Sequence, residues 1–223
     1  RYYIMQALNI GATGMLAQQT NVEVISNNIA NMNTTAFKRH RAEFQDLLYQ
    51  DLRRVGSNSS DAGTIVLSGI QLGVGVRFAS TYRVSEQGSL IKTDNPLDLA
   101  VQGEGMFQIQ LPTGETAYTR AGSFQVNAAG TIVNADGFTV LPGITVDQAA
   151  VGVTINQSGQ VLVKLDGQVT EQVAGQIQLA TFQNQAGLEH LGNNLLSPTE
   201  ASGAAVTGNP ATAGFGGLFQ GYI

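Results

Sequence analysis

The strongest pattern in the chain is a ladder of apolar positions near its start. Ile4, Leu8, Gly11, Met15, Gln18, Val22, Ile25, Ile29 and Met32 step alternately by four and three residues, and only Gly11 and Gln18 are not large and apolar. This is the a/d repeat of a helix whose stripe meets another helix, because a lone straight helix drifts against a seven-residue repeat. The spacing predicts one helix of roughly 29 residues, ~43 Å long. Such a stripe can pack on its own domain or on another subunit. Between Arg1 and Lys38 the only charge is Glu23, so the remaining surface of the helix is Asn, Gln, Thr and Ala rather than a solvated charged face. No second heptad segment follows in the chain to serve as partner. The helix is therefore read as an assembly helix, with Leu8, Met15, Val22, Ile25, Ile29 and Met32 as its self-assembly seam.

Phe44, Leu47, Leu48 and Leu52 carry a helical spacing onward, and the run Gly56-Ser-Asn-Ser-Ser-Asp-Ala-Gly63 reads as a flexible loop. From Thr64 the period falls to two, with turn signals every 8–12 residues. Strands are predicted at Val74–Val84, Leu97–Val101, Met106–Leu111, Ala117–Arg120, Phe124–Val126, Thr131–Val133, Thr139–Leu141, Val153–Ile155, Val161–Leu165 and Gly175–Phe182. Asn127-x-x-Gly130 and Asn156-x-x-Gly159 each lead into a short apolar run and an Asp-Gly pair, an echo at 29 residues that suggests two hairpins of similar build. The expected class is α+β: a long heptad helix, then a mainly antiparallel β-rich domain built as a twisted sandwich or partly closed barrel. Four segments follow from this: an assembly helix at 1–35, a helix extension, loop and connector at 36–73, a β-rich domain at 74–198 and a flexible Gly/Ala/Thr-rich return at 199–223.

Composition narrows the chemistry. The 223 residues contain no Cys, no Trp and two His, which removes disulfides, thiol catalysis and thiolate metal sites. Charged residues are only 12%, and 21 Gln and 15 Asn supply the polar surface instead. A net charge of −5 and a pI near 4.9 argue against nucleic acid as partner. The basic knot Lys38-Arg39-His40-Arg41 lies close to Glu43, Asp46 and Asp51, which suits ion pairing and subunit contacts better than phosphate. The glycine-rich pieces lack dinucleotide or phosphate-loop spacing, and His40 and His190 belong to no triad. Asp94, Asp98, Glu104 and Glu115 are the carboxylates a glycosidase pair would draw on, but nothing around them supports that chemistry. No cofactor or metal is implied. No stretch is long and apolar enough for membrane insertion, and the polar residues Asn9, Thr13, Gln18 and Gln19 do not suit a cleaved signal peptide.

Several motifs resemble a known family. Gly14-Met-Leu-Ala-Gln-Gln-Thr20 and Ile25-Ser-Asn-Asn-Ile-Ala-Asn-Met-Asn-Thr-Thr-Ala-Phe-Lys38 are similar to the N-terminal signature of bacterial flagellar rod and hook proteins. Leu97-Asp-Leu-Ala-Val-Gln-Gly-Glu-Gly-Met-Phe107 and Tyr118-Thr-Arg-Ala-Gly-Ser-Phe124 resemble further motifs of the same family. Phe44–Tyr49, Asp136–Thr145 and the closing Gln220-Gly-Tyr222 look most like its distal-rod branch. Carried onto this chain, the signature residues are Asn27, Asn28, Ala30, Asn31, Thr34, Phe37 and Lys38, with Ala36 where relatives often have Gly. The resemblance implies a rod-straightness loop containing Asp51, Arg53, Arg54, Ser59 and Ser60.

The resemblance further implies a homo-oligomer: subunits stacked in a helical polymer around an inner coiled-coil tube, with the β domain outside. It implies contact with other rod proteins, the hook protein and the ring bushing of the outer membrane and peptidoglycan. Delivery would be through the flagellar type III export apparatus, without a cleaved signal peptide, to a rod crossing the periplasm. Relatives continue beyond Gly-Tyr into a C-terminal heptad helix, which is the expected partner of the seam, and Arg1–Ile4 precede the usual start. Two function classes stand at this point. One is a structural rod subunit, distal or proximal; the other is a wall-binding or wall-degrading β module. The motifs favour the distal rod and no enzymatic activity.

Overall fold

Tyr2–Ala30 forms one unbroken helix of 29 residues, α1, as the heptad ladder requires. A computed structural model of the chain describes residues 2–47, 49–53, 70–84 and 86–223. They divide into two units, one of residues 1–33 and 38–84 and one of residues 34–37 and 85–223.

In the first unit α1 is accompanied by four strands: β1 (His40–Asp46), β2 (Tyr49–Arg53), β3 (Ile70–Gly73) and β4 (Val76–Arg83). β1 pairs antiparallel with β4 from His40↔Arg83 to Asp46↔Val76, and β2 pairs with β3 from Tyr49↔Gly73 to Arg53↔Ile70. Leu47 N donates to Gly75 O at 2.9 Å between the two ladders, so the pairs form one long β-ribbon.

The helical spacing expected of Phe44, Leu47 and Leu52 is thus overturned. Along β1, half-buried His40, Ala42 and Phe44 alternate with exposed Arg41, Glu43 and Gln45, which is strand periodicity. Phe44 meets its cross-strand partner Phe78 edge-on, with ring centroids 6.1 Å apart. Leu48 lies outside the described residues. Asp51 and Arg53, placed in a loop by sequence, belong to β2. Arg54, Ser59 and Ser60 lie outside the described residues.

The second unit is β throughout. β5 (Leu99–Gln102), β6 (Met106–Gln110), β7 (Thr116–Thr119), β8 (Gln125–Val126), β9 (Ile132–Val133) and β10 (Thr139–Val140) precede a meander of β11 (Ala150–Ile155), β12 (Gln160–Leu165) and β13 (Gln172–Gln176). After it come β14 (Leu179–Thr181), β15 (Glu189–Gly192), β16 (Leu195–Ser197), β17 (Val206–Gly208) and β18 (Gly217–Gln220). All pairings among them are antiparallel, and β6 is central, with β7 along one edge and β10 and β14 sharing the other. The described sheets do not close into a barrel.

Neighbours on β6 point to opposite faces, and both faces are covered. Phe107 and Ile109 join Leu99, Phe124, Ile132, Val161, Leu179 and Leu218 in the main core, where the rings of Phe107 and Phe124 meet edge to face at 4.9 Å. Met106 joins Tyr118, Phe182 and Leu196 on the other side, with Tyr118 and Phe182 rings 4.8 Å apart.

Two of the sequence motifs meet at Arg120. Its Nη1 donates to the carbonyls of Gly103 and Gly105, and its Nη2 to Val101 O at 2.9 Å and Gln87 Oε1 at 2.8 Å. One guanidinium thus fixes the loop that follows β5. Close backbone approach completes the join, because a Cβ on Gly122 would collide with the carbonyl of Leu99.

The Asn-x-x-Gly turn of the two-copy hairpin echo recurs at the Asp-Gly pair of the first copy, giving three such turns. Asn127, Asn134 and Asn156 each begin an Asn-x-x-Gly turn in which the side-chain Oδ1 accepts from the backbone N–H four residues on, at 2.8–2.9 Å. The fourth residue is Gly130, Gly137 or Gly159, with φ of 84–85°, a conformation that suits glycine.

The return segment expected to be flexible is instead woven into this unit. β17 pairs with β14, and β18 pairs with β5 from Gly217↔Gln102 to Gln220↔Leu99. Ser202 and Leu218 are buried. Its glycines serve close packing: a Cβ on Gly216 would strike the backbone of Gln102, and one on Gly208 the ring of Phe215. Leu218→Ala should therefore cost about 2–5 kcal/mol in denaturant unfolding. A cost near zero would mean that the segment does not hold the module together.

Candidate functional site

The site is built by the way α1 lies on the ribbon. The half-buried side of the helix includes Ile10, Thr13, Gly14, Ala17, Thr20, Asn21, Val24 and Asn28, mostly small or polar side chains that admit a close neighbour. Two anchors hold it. Thr13 Oγ1 donates to Ile10 O at 2.8 Å and accepts from Val76 N at 3.4 Å, and a Cβ on Gly75 would collide with it.

At the far end Asn28 Nδ2 donates to His40 O at 2.8 Å while its Oδ1 accepts from His40 N at 2.8 Å. The amide side chain thus pairs with β1 as a neighbouring strand would. The anchors lie ~22 Å apart along the helix, and His40 to Asp46, opposite Val76, spans ~20 Å of strand. Helix and ribbon therefore match in length between the anchors.

The helix, expected to have no intramolecular partner, has one after all, but on a different face from the seam. Leu8, Met15, Val22, Ile25, Ile29 and Met32 are all exposed, from 47% at Ile25 to 75% at Met32. The two stripes interleave at the same four-three spacing and are rotated about a third of a turn from each other. Six large apolar side chains are thereby left uncovered within the chain.

The signature residues are structural at the helix end. Asn27 O accepts from Asn31 N at 3.1 Å and from Asn31 Nδ2 at 2.9 Å, while Ala30 closes the helix. Thr34 O accepts from Phe37 N at 3.2 Å in a turn, and Phe37 and Lys38 are half-buried. Ala36 has φ +61°, the left-handed region that glycine adopts without strain. Asn194 Nδ2 holds this turn through Thr35 O at 3.0 Å. The bidentate role of Asn28 carries no sequence signal beyond the motif itself, since an asparagine on a helix reads as surface.

Three of the four candidate carboxylates have local polar partners. Asp94 pairs with Lys92 at 2.8 Å, buried Asp98 accepts from Asn95 Nδ2 at 3.1 Å, and Glu104 is bonded by Gln185 Nε2. Among the described residues no three His, Asp or Glu side chains gather as a metal-ligand set, and no helix is long and apolar enough to cross a membrane. His40 lies opposite Arg83 in the ribbon; burial first, and then the Arg83 charge, hold its imidazole below the ordinary value of 6.5.

Known proteins match both regions. Residues 8–38, α1 with its anchor and turn, fit the model described as flagella basal body rod protein, and residues 100–163 fit that of the flagellar hook protein FlgE/F/G D1 domain. The flagellar basal-body rod protein FlgG of Caulobacter vibrioides is 60% identical over 218 residues, spanning 98% of this chain and 83% of that protein. The chain belongs to the FlgG family of flagellar basal-body rod proteins. FlgG of Agrobacterium fabrum is 47% identical across 98% of this chain and 84% of its own length, and that of Borreliella burgdorferi 41% across 99% and 83%. The rod-protein match coincides with the helix that carries the exposed seam, and the FlgE/F/G match with the strands around Phe107 and Arg120.

Two outcomes test this site. Ala36→Gly relieves a left-handed alanine, a conformation that costs roughly 1–2 kcal/mol, and should raise the melting temperature by about 2–4 °C. An unchanged or lower melting temperature would exclude strain at Ala36. For His40, the folded pKa lies below the unfolded one, so the unfolded chain binds more protons between the two. Stability of the first unit should be full above pH 6.5 and fall as pH drops from there toward the folded value. His40→Gln should remove that slope in melts recorded from pH 7.5 down to 5, and an unaltered slope would assign it elsewhere.

Proposed function

We propose that this chain is a structural subunit that assembles helically into the distal rod of the flagellar basal body and transmits motor torque across the periplasm to the hook. The exposed seam carries the proposal. Six large apolar side chains at heptad spacing stand uncovered on a helix that the ribbon holds by another face. Apolar surface so arranged is stabilised by packing against further helices, and a repeating subunit supplies them in every copy. The β module then forms the outer part of each subunit. Neighbouring rod proteins and the hook are its axial partners, the ring bushing surrounds it, and the flagellar export apparatus delivers it. The role is mechanical rather than enzymatic. Arg54, Ser59 and Ser60, with β2 residues Asp51 and Arg53, belong to the segment that keeps the rod straight.

The experiment replaces Ile25 or Ile29 by Asp. An unpaired carboxylate buried in a helix contact costs several kcal/mol, repeated in every subunit. Rod assembly and motility should be lost, whereas the purified chain should melt within about 1 °C of the parent, because both positions are exposed on the monomer. Glu23→Gln is the charge-neutral control. Intact rods made from a destabilised monomer would show that the stripe packs within its own chain, and would sink the proposal.

A further inference from the structure

The seam of α1 is not evenly apolar. Between Leu8 and Val22 its positions are Gly11, Met15 and Gln18, so Met15 is the only large apolar seam residue over ~21 Å of helix. From Val22 onward the stripe is dense, with Ile25, Ile29 and Met32. Met15 also carries a reactive atom. The chain has four methionines and no cysteine, which leaves thioethers as its readily oxidised sulfur. Met15 is 71% exposed, and Met5 and Met32 are 66% and 75% exposed. Met106 is the contrast, 6% exposed in the core it shares with Tyr118 and Phe182. The most accessible sulfur atoms thus lie on the assembly helix, and one of them stands where the seam has no apolar residue to spare.

We infer that Met15 is an oxidation site at which a hydroperoxide switches assembly off. The thioether sulfur attacks the terminal peroxide oxygen, so that an S–O bond forms and the O–O bond breaks. The hydrogen of the transferred oxygen passes to the departing oxygen, which leaves as water or an alcohol. The sulfur is oxidised by two electrons and the peroxide reduced by two, and the product is methionine sulfoxide. A flexible apolar side chain has become a polar one. On the monomer the new oxygen is hydrated, whereas burial in a helix contact strips that water away. The seam then holds no large apolar side chain between Leu8 and Val22. The proposal rests on the rod-assembly reading and adds a control to it. Oxidation precedes assembly, because the contact that buries the sulfur also shields it.

Peroxide mapping and two variants test this. In the purified chain, hydrogen peroxide should oxidise Met15 at least about tenfold faster than buried Met106, as read by mass spectrometry. Comparable rates at the two would overturn the proposal. In cells lacking their own copy, Met15→Gln, whose amide imitates the polarity of the sulfoxide, should lower the yield of complete rods at least about tenfold. The same variant, purified, should melt within about 1 °C of the parent, because position 15 is exposed on the monomer. Met15→Leu should build rods within about threefold of the parent yield, and should keep building them at peroxide levels that stop the parent. Normal rods from Met15→Gln, a destabilised Met15→Gln monomer, or Met15→Leu rods as peroxide-sensitive as the parent's would overturn the proposal while leaving the assembly reading in place. Parent and Met15→Leu chains that build no rods without peroxide would overturn both.

Discussion

The first unit depends on which face of α1 the ribbon takes. A helix with large apolar residues at most of its a and d positions would ordinarily bury that stripe first, because burial of large aliphatic side chains is the largest favourable term available to it. Here the ribbon lies on Thr13, Gly14, Ala17, Asn21, Val24 and Asn28 instead. Specific hydrogen bonds offset the modest apolar area. The two bonds between Asn28 and His40 fix the height of β1 on the helix, and Thr13 with Gly75 fixes β4. Polar anchoring of the small face keeps the apolar face available, so the same helix is ordered within its chain and still presents a surface to others.

A different economy holds in the β module. Its core is apolar on both sides of β6, yet the loop after β5 is organised by one cation and several carbonyls. Arg120 satisfies backbone groups that no strand reaches, and a guanidinium can do so because it presents five donors in a rigid plane. Burial lowers its pKa while nearby Glu104 opposes that, and the charge is retained. The motifs around Leu97–Phe107 and Tyr118–Phe124 are thus two halves of one structural device. That accounts for the residue types found in them without any catalytic role.

The sequence made some of this legible and hid the rest for identifiable reasons. The seam could be read because a heptad needs only apolar spacing. Most strands of the β module could be read because alternation and Gly turns coincide. β1 and β2 could not: Phe44, Leu47 and Leu52 fit a helical period as well as a strand, and the deciding partners, in β3 and β4, come 17 to 43 residues later. The ordered tail was hidden by composition, since Ala, Gly and Thr suit a linker and a tightly packed crossing equally. Only the collision a Cβ would meet at Gly208 or Gly216 separates the two cases. Asn28 and Arg120 were visible as motif members but not as anchors, because their partners are backbone atoms, which a sequence does not display.

The placement of β18 beside β5 has a bearing on the order of folding. The three Asn-x-x-Gly hairpins join residues four apart and form with little loss of chain entropy. Leu218 must reach Val101 across more than a hundred intervening residues, a closure of high contact order. A chain emerging amino end first can therefore complete its hairpins early but cannot close its core until Gly217–Gln220 arrive. Until then the main-core side of Leu99 and Val101 stays open, and the module remains pliable along most of its length.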